Sequence, residues 1–328
     1  MRLAKAISLR VLFGAISLLF ITFIAFIADE IAPGDAATVA AGEKATIAQI
    51  ELQRKRLGLD RPWTVRYVEM LGNLSHGDFG KSYVGTKEPV ADIIKRTLPM
   101  TARTAFLAML VAIIIGVTMG TIAAVYENRL GDRTILILST LGVTVPNFVL
   151  APLLVYLWCL NPNKFAQFVS YGNISELPMN WTPDRVAPDF YYLLIPVMVL
   201  SLRPMAMLTR LTRASMVETM KQEFIKLATA KGVPPFRLIV GHALRNAILP
   251  VVTAIGTSFG FLLTGSFVIE RFFTMPGLGS TAIEAILQTN GPVIIGTIIV
   301  SGFLFIFVNM IVDILLPILD PRIREAQV

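Results

Sequence analysis

Few residues of this 328-residue chain stand at spacings that could do chemistry. Gly80-Lys81-Ser82 has the ending of a phosphate-binding loop, in which glycines let backbone N–H groups wrap a triphosphate. The first glycine of that pattern belongs at position 75, which holds Ser75, and no apolar strand precedes it, so nucleotide binding is not expected. The two histidines, His76 and His242, are far apart, and the single cysteine, Cys159, lies inside an apolar run. Neither a metal site nor an intrachain disulfide is expected, and no cofactor is implied. The most informative stretch is 216–250, where Lys221, Lys226, Lys231, Arg237 and Arg245 sit between two apolar segments. Met220, Phe224, Leu227 and Ala228 recur at the spacing of one helical face, and Gly232 with Pro234 and Pro235 ends the helix. A second amphipathic piece spans 236–246, and Pro250 is expected to open the next membrane helix. Two short helices meeting at a glycine make a knob that another protein can grip. A solvated loop with a charged face is the plainer alternative, and these residues alone leave both open.

The rest of the chain must hold that knob in place. Mean hydropathy is +0.68 and only 16% of residues are charged, with long apolar runs that exclude an ordinary soluble domain. The net charge of +7 suggests nucleic acid, but the basic residues cluster in short links on one side of the apolar runs, as membrane orientation requires. Spans are expected at 9–28, 104–125, 135–160, 190–209, 248–268 and 292–316. The first is too long and poorly flanked for a cleaved signal peptide, so it reads as an uncleaved span. A polar segment of about seventy residues follows it, with helices expected over 46–57 and 63–74 and a break at Leu59-Asp60-Arg61-Pro62, forming a small cap. Ala108, Ala112, Gly116, Gly120 and Ala124 recur every four residues as a smooth packing stripe. Pro146-Asn147 and Pro152 interrupt the third span, and a kink beside Asn147 borders a candidate polar pathway. Arg203-Pro204 lies in the fourth, where Arg203 either snorkels to the interface or lines that pathway. Short links bearing Arg129, Arg133, Arg210 and Arg213 put both termini and the 216–250 stretch on the cytoplasmic side.

These residues also resemble a known family. Ala228-Thr229-Ala230-Lys231-Gly232, then His242-Ala243-Leu244-Arg245-Asn246-Ala247 and Leu249-Pro250, are similar to the cytoplasmic loop of bacterial ATP-binding-cassette import permeases. Leu57 to Pro62, Gly77-Asp78-Phe79-Gly80-Lys81-Ser82, Gly265-Ser266, Glu270, Pro276-Gly277-Leu278-Gly279 and Asp320-Pro321-Arg322 resemble the dipeptide, oligopeptide and nickel permease group in order and place. Two departures stand out. The general signature has Glu-Ala-Ala where this chain has Lys226, Leu227 and Ala228, a departure that fits the peptide group, which commonly lacks that glutamate, and Thr289-Asn290-Gly291 replaces a frequent Arg-Asp-Tyr.

The resemblance implies an all-α integral membrane protein with six transmembrane helices, the type I importer fold and an extracytoplasmic cap. It implies an N-terminal part, 1–97, of one span plus cap, and a five-helix core, 98–328, whose cytoplasmic coupling loop is 213–247. It also implies a bacterial inner-membrane permease that is not itself an enzyme. The expected partners are a second permease, two ATPase subunits, an extracytoplasmic binding protein and membrane lipid. Glu223, Phe224, Leu227, Ala228, Ala230, Lys231 and Gly232 are the expected ATPase contacts. The cargo implied is a peptide or similar small solute. An ion-gradient transporter is the alternative; that class places ionisable residues or broken helices near mid-membrane, whereas Asp313 and Arg203 here lie near the inner face and neither paired carboxylates nor inverted halves are evident in the sequence.

Overall fold

The computed structural model describes residues 2–32, 34–42, 44–155, 190–265 and 267–319. The helices in chain order are α1 (Arg2–Ile31), α2 (Ala36–Ala41), α3 (Ile47–Arg56), α4 (Trp63–Ser75), α5 (Val90–Val125), α6 (Leu130–Thr144), α7 (Asn147–Val155), α8 (Phe190–Met220), α9 (Glu223–Ala230), α10 (Arg245–Gly265), α11 (Phe267–Phe272), α12 (Leu278–Leu287) and α13 (Gly291–Leu319). A turn at Pro235–Arg237 and a π-helix, Leu238–Leu244, lead into α10. Among the described residues there is no strand, only an isolated bridge between Lys81 and Pro89. Among the described residues five helices are long and apolar enough to cross a membrane, and the number rises to six when α6 and α7, bent by 102°, count as one span.

The spans differ from their sequence-based limits for local reasons. The second starts at Val90 rather than near residue 104, because α5 runs through Pro99 without a break. The third divides at Val145, whose extended backbone (φ −81°, ψ 123°) is the conformation favoured before a proline, here Pro146. Residues 156–160, expected at its end, lie outside the described residues. The fourth continues to Met220, well past residue 209. Pro250 does not open the fifth; helix runs unbroken through the π segment from Pro235 to Thr264, with Pro250 inside.

The chain forms two compact units, each described by itself. The first holds α1 to α4, the start of α5, α11, α12 and most of α13. Asp35 caps α2, and Thr46 with Gln49 forms a reciprocal capping box on α3. Val90, Ile93, Ile94, Leu278, Ala285 and Val293 form an apolar core. Beside it stands a fully buried carboxylate, Glu270, which accepts from Thr101 Oγ1 (2.8 Å), Gly279 N (2.8 Å) and Ser280 N (3.2 Å). The Thr101 hydroxyl in turn accepts from Leu278 N at 2.8 Å. Glu270 thus neutralises the orphan N–H groups and positive end of α12 from outside that helix.

In the second unit the expected small-residue stripe is a packing face. Ala108, Ala112 and Ala124 are buried. A Cβ on Gly116 would stand 2.9 Å from the Met205 carbonyl, and one on Gly120 2.6 Å from the Thr209 carbonyl, so α5 and α8 touch backbone to backbone. Gly142 sets α6 against α8, and Gly256 sets α10 against Val312 of α13.

Replacing Glu270 with Ala removes three charge-assisted bonds and should cost about 2–5 kcal/mol. Unfolding of the purified protein in mixed micelles checks this; an unchanged midpoint would refute the capping role.

Candidate functional site

The 213–247 stretch folds as a compact knob in the second unit. α8 ends at Met220, and Lys221 and Gln222 turn the chain by bonding back to Glu218 and Thr219. α9 then closes with a Schellman motif: Val233 N bonds Ala228 O (3.2 Å) and Gly232 N bonds Thr229 O (2.9 Å). Gly232 takes φ +78°, a left-handed conformation that glycine adopts without strain. A side chain there would meet nothing within 4 Å, so the glycine serves backbone geometry, not crowding within this chain.

The helix expected to begin at Met220 is shorter than its residue spacing implied. Met220 belongs to the preceding helix, and the residue pinned into the core is Ile225, 4% exposed, among Ala124, Met216, Ala243 and Ala247. Phe224 and Leu227 point outward, Leu227 at 58% exposure, as do Phe236 at 79% and Val240. Ala228 is half-buried; Glu223, Ala230, Lys231 and Gly232 are exposed. Glu223 pairs with Lys226 at 2.7 Å on that open surface. The knob is held from within by one isoleucine and presents apolar side chains ringed by lysines.

Its attachment to neighbouring helices is electrostatic as well as apolar. Arg213 grips Asp132 with two bonds, Nε to Oδ1 (2.5 Å) and Nη2 to Oδ2 (2.6 Å), and Asp132 Oδ2 also accepts Asn128 N at 2.8 Å. Asp132 is 2% exposed. Lys221 pairs with Glu127 at 3.3 Å in the same link. At the far end of the knob, Asn246 Nδ2 donates to the His242 carbonyl (2.7 Å) beside the π-helix. π-Helical turns are rare and frequent at functional sites.

The remaining candidates are dispersed. Asn147 is half-buried at the start of α7, directly after the break, and Arg203 is exposed on α8. No side-chain hydrogen bond or ion pair of either occurs among the described residues. In the first unit Ser82 is committed to structure: its hydroxyl donates to Val84 O (2.9 Å) and accepts from Asn290 Nδ2 (2.8 Å), while Asn290 Oδ1 accepts Tyr83 N (3.0 Å). A cavity of about 690 Å³ opens nearby, lined by Asp29, Arg66, Glu69, Asn73, Lys81 and Tyr83. Burial, with the Asp29 charge adding to it, pushes the Tyr83 phenol up to about 12. No cluster of metal-ligating side chains occurs among the described residues.

Residues 116–325 match the family described as binding-protein-dependent transport system inner membrane component. The chain belongs to that family. Residues 3–105 match the corresponding N-terminal component. A putative peptide transport system permease protein of Brucella abortus (strain 2308) is 37% identical over 307 residues, covering 94% of this chain and 95% of that protein. The dipeptide transport system permease protein DppB of Bacillus subtilis (strain 168) is 35% identical, with 94% of each chain covered. The glutathione transport system permease protein GsiC of Escherichia coli (strain K12) is 35% identical, covering 95% of this chain and 97% of its own. The permease is therefore a multi-pass transport subunit of an ATP-binding-cassette importer with the type I fold, not an enzyme. Its system includes ATPase and binding-protein components, and the ion-gradient alternative finds no support.

Sequence reasoning quoted Glu270 only within a motif, and it missed the Asp132–Arg213 pair. A lone acid three residues after Arg129, in the first turn of an apolar helix, was the available signal for the second. Removing Arg213 should destabilise the permease by about 3–5 kcal/mol, because Asp132 is left buried and unmatched, and removing Asp132 should cost less, because Arg213 keeps partial access to solvent. In a double-mutant cycle, Asp132→Ala with Arg213→Ala should cost clearly less than the sum of the two single changes; additive costs would show that the contact carries no energy.

Proposed function

We propose that this permease pairs with a second, related permease to form the membrane pathway for short peptides delivered by an extracytoplasmic binding protein. Two ATPase subunits drive it, one gripping the knob around α9. Its termini and the knob face the cytoplasm, and residues 1–97 supply one span and the cap ahead of a five-helix core, 98–328. Peptide cargo is supported by the names of the Brucella and Bacillus relatives; glutathione, carried by the Escherichia relative, is itself a tripeptide.

The observation that carries the coupling role is the outward face of α9. Phe224 and Leu227 are exposed, although Ile225 between them is buried, so the helix is anchored on one side and offered on the other. Apolar anchors ringed by Lys226 and Lys231 suit a cleft with apolar pockets and an acidic rim. Glu223, Ala228, Ala230 and Gly232 complete that surface, with Gly232 ending the helix abruptly enough to fit a cleft. Asn147 and Arg203 are proposed to border the pathway, Asn147 because the break at Pro146 frees backbone polar groups beside it.

Gly232→Asp forces a side chain into a left-handed backbone and sets a carboxylate at a helix C-terminus, where negative charge is unfavourable. With Phe224→Ala and Leu227→Ala, it should lose about 1–3 kcal/mol of docking energy, and about 1.4 kcal/mol is tenfold in affinity. ATPase co-purification and peptide uptake should both fall at matched permease levels, with membrane insertion unchanged. Normal values for all three variants would mean a merely solvated loop.

Orientation has its own test in a Cys159→Ser background. An impermeant maleimide applied to intact spheroplasts should label Lys55→Cys and spare Lys221→Cys; the reverse would invert the topology.

A further inference from the structure

The segment between the first two spans contains a helix whose faces do not suit a cap standing in water. α4 has three sides. Trp63 and Tyr67, one turn apart, pack on α1. Arg66, Glu69 and Asn73 line the 690 Å³ cavity. The third side, Thr64, Val65, Val68 and Gly72, is exposed and carries no charge; Val68 is 66% exposed, and a Cβ on Gly72 would meet nothing within 4 Å.

The contacts with α1 fix how deep this helix lies. The Tyr67 hydroxyl donates to the Leu19 carbonyl (3.3 Å) and stands 3.3 Å from Thr22 Oγ1. Its ring is 5.5 Å from Phe23 and 5.4 Å from Phe26, and Trp63 is 6.5 Å from Phe23. Leu19 is in the middle of the apolar run 9–28, and roughly 18 Å of helix separates it from the end of α1 at Ile31. α4 therefore lies alongside the membrane-spanning part of α1, not above it. Phe20 and Ile24, in the same stretch of α1 that Tyr67 touches, are also exposed apolar side chains of a span.

We infer that α4 is embedded in the bilayer as an amphipathic helix, with Thr64, Val65, Val68 and Gly72 against lipid acyl chains. The chemistry is consistent on every side. A helix satisfies its own backbone groups, so it tolerates hydrocarbon. Polar side chains at membrane depth are found facing an aqueous cavity or the protein interior, as Arg66, Glu69 and Asn73 do here. Arg61, paired with Glu69, precedes the helix, and Arg54, Lys55 and Arg56 end α3, so cations that anionic headgroups can attract flank α4 in sequence.

The test uses the assembled transporter in proteoliposomes, in a Cys159→Ser background. Nitroxide labels at Val68→Cys and Glu69→Cys are relaxed either by oxygen, which concentrates in hydrocarbon, or by a water-soluble nickel chelate. Oxygen should exceed the chelate at 68, and the order should reverse at 69. Chelate dominating at both sites would mean a solvated cap, and protection of 68 from both agents would mean that protein covers this side; either overturns the inference. Because a label can disturb packing, Trp63 provides an unlabelled readout. In the permease reconstituted alone, with Trp158 and Trp181 changed to Phe, its fluorescence should be quenched by lipids brominated on the acyl chain, and undiminished fluorescence would also overturn the inference.

Discussion

In hydrocarbon no water is available to satisfy a backbone N–H or C=O, and each interruption of a helix must be repaired from within the protein. Four helix ends among the described residues carry a comparable repair. Glu270 supplies acceptors to the first N–H groups of α12. Asp132 takes up the N–H of Asn128, a residue held at φ +63° where α5 gives way to α6. At the knob, the last carbonyls of α9 are closed by Gly232 and Val233. Where the π-helix meets α10, the Asn246 side chain supplies a donor to the His242 carbonyl.

That constraint explains why much of the organisation was legible in the sequence. Apolar runs long enough to cross a membrane, capping residues such as Thr46 and breakers such as Pro62 and Gly232 are local signals, and the helices at 47–56 and 63–75 follow them closely. The small-residue stripe of α5 was also readable, since spacing by four puts glycine and alanine on one side of a helix. Ends of long helices were not. α5 begins at Val90 and α8 continues to Met220 because tertiary contacts keep polar helical turns folded beyond any apolar run. Pro250 misled for a related reason: within an established helix its ring can be accommodated, so it does not mark a start.

The candidate site divides along the same line. Gly232 and the existence of α9 followed from residue type, whereas the orientation of α9 depended on a two-residue turn at Lys221 and Gln222 that shifts the helical phase. With that shift, Ile225 becomes the anchor and Phe224 and Leu227 the offered surface. The Asp132–Arg213 pair joins residues 81 positions apart, a separation at which one sequence gives no pairing signal.

The surroundings of Glu270 give the Pro276-Gly277-Leu278-Gly279 sequence a meaning of its own. A Cβ on Gly277 would fall 2.2 Å from Glu270 Oε2, and one on Gly279 would fall 2.2 Å from a Phe267 ring carbon and 3.0 Å from the same oxygen. The two glycines are the mould and the carboxylate the cast. Neither half is informative alone, and a change of shape in one leaves the other either overfilled or hollow. In descent such positions can move only together, so a chain that retained the glycines but lost the acid would be expected to fold this corner by a different arrangement.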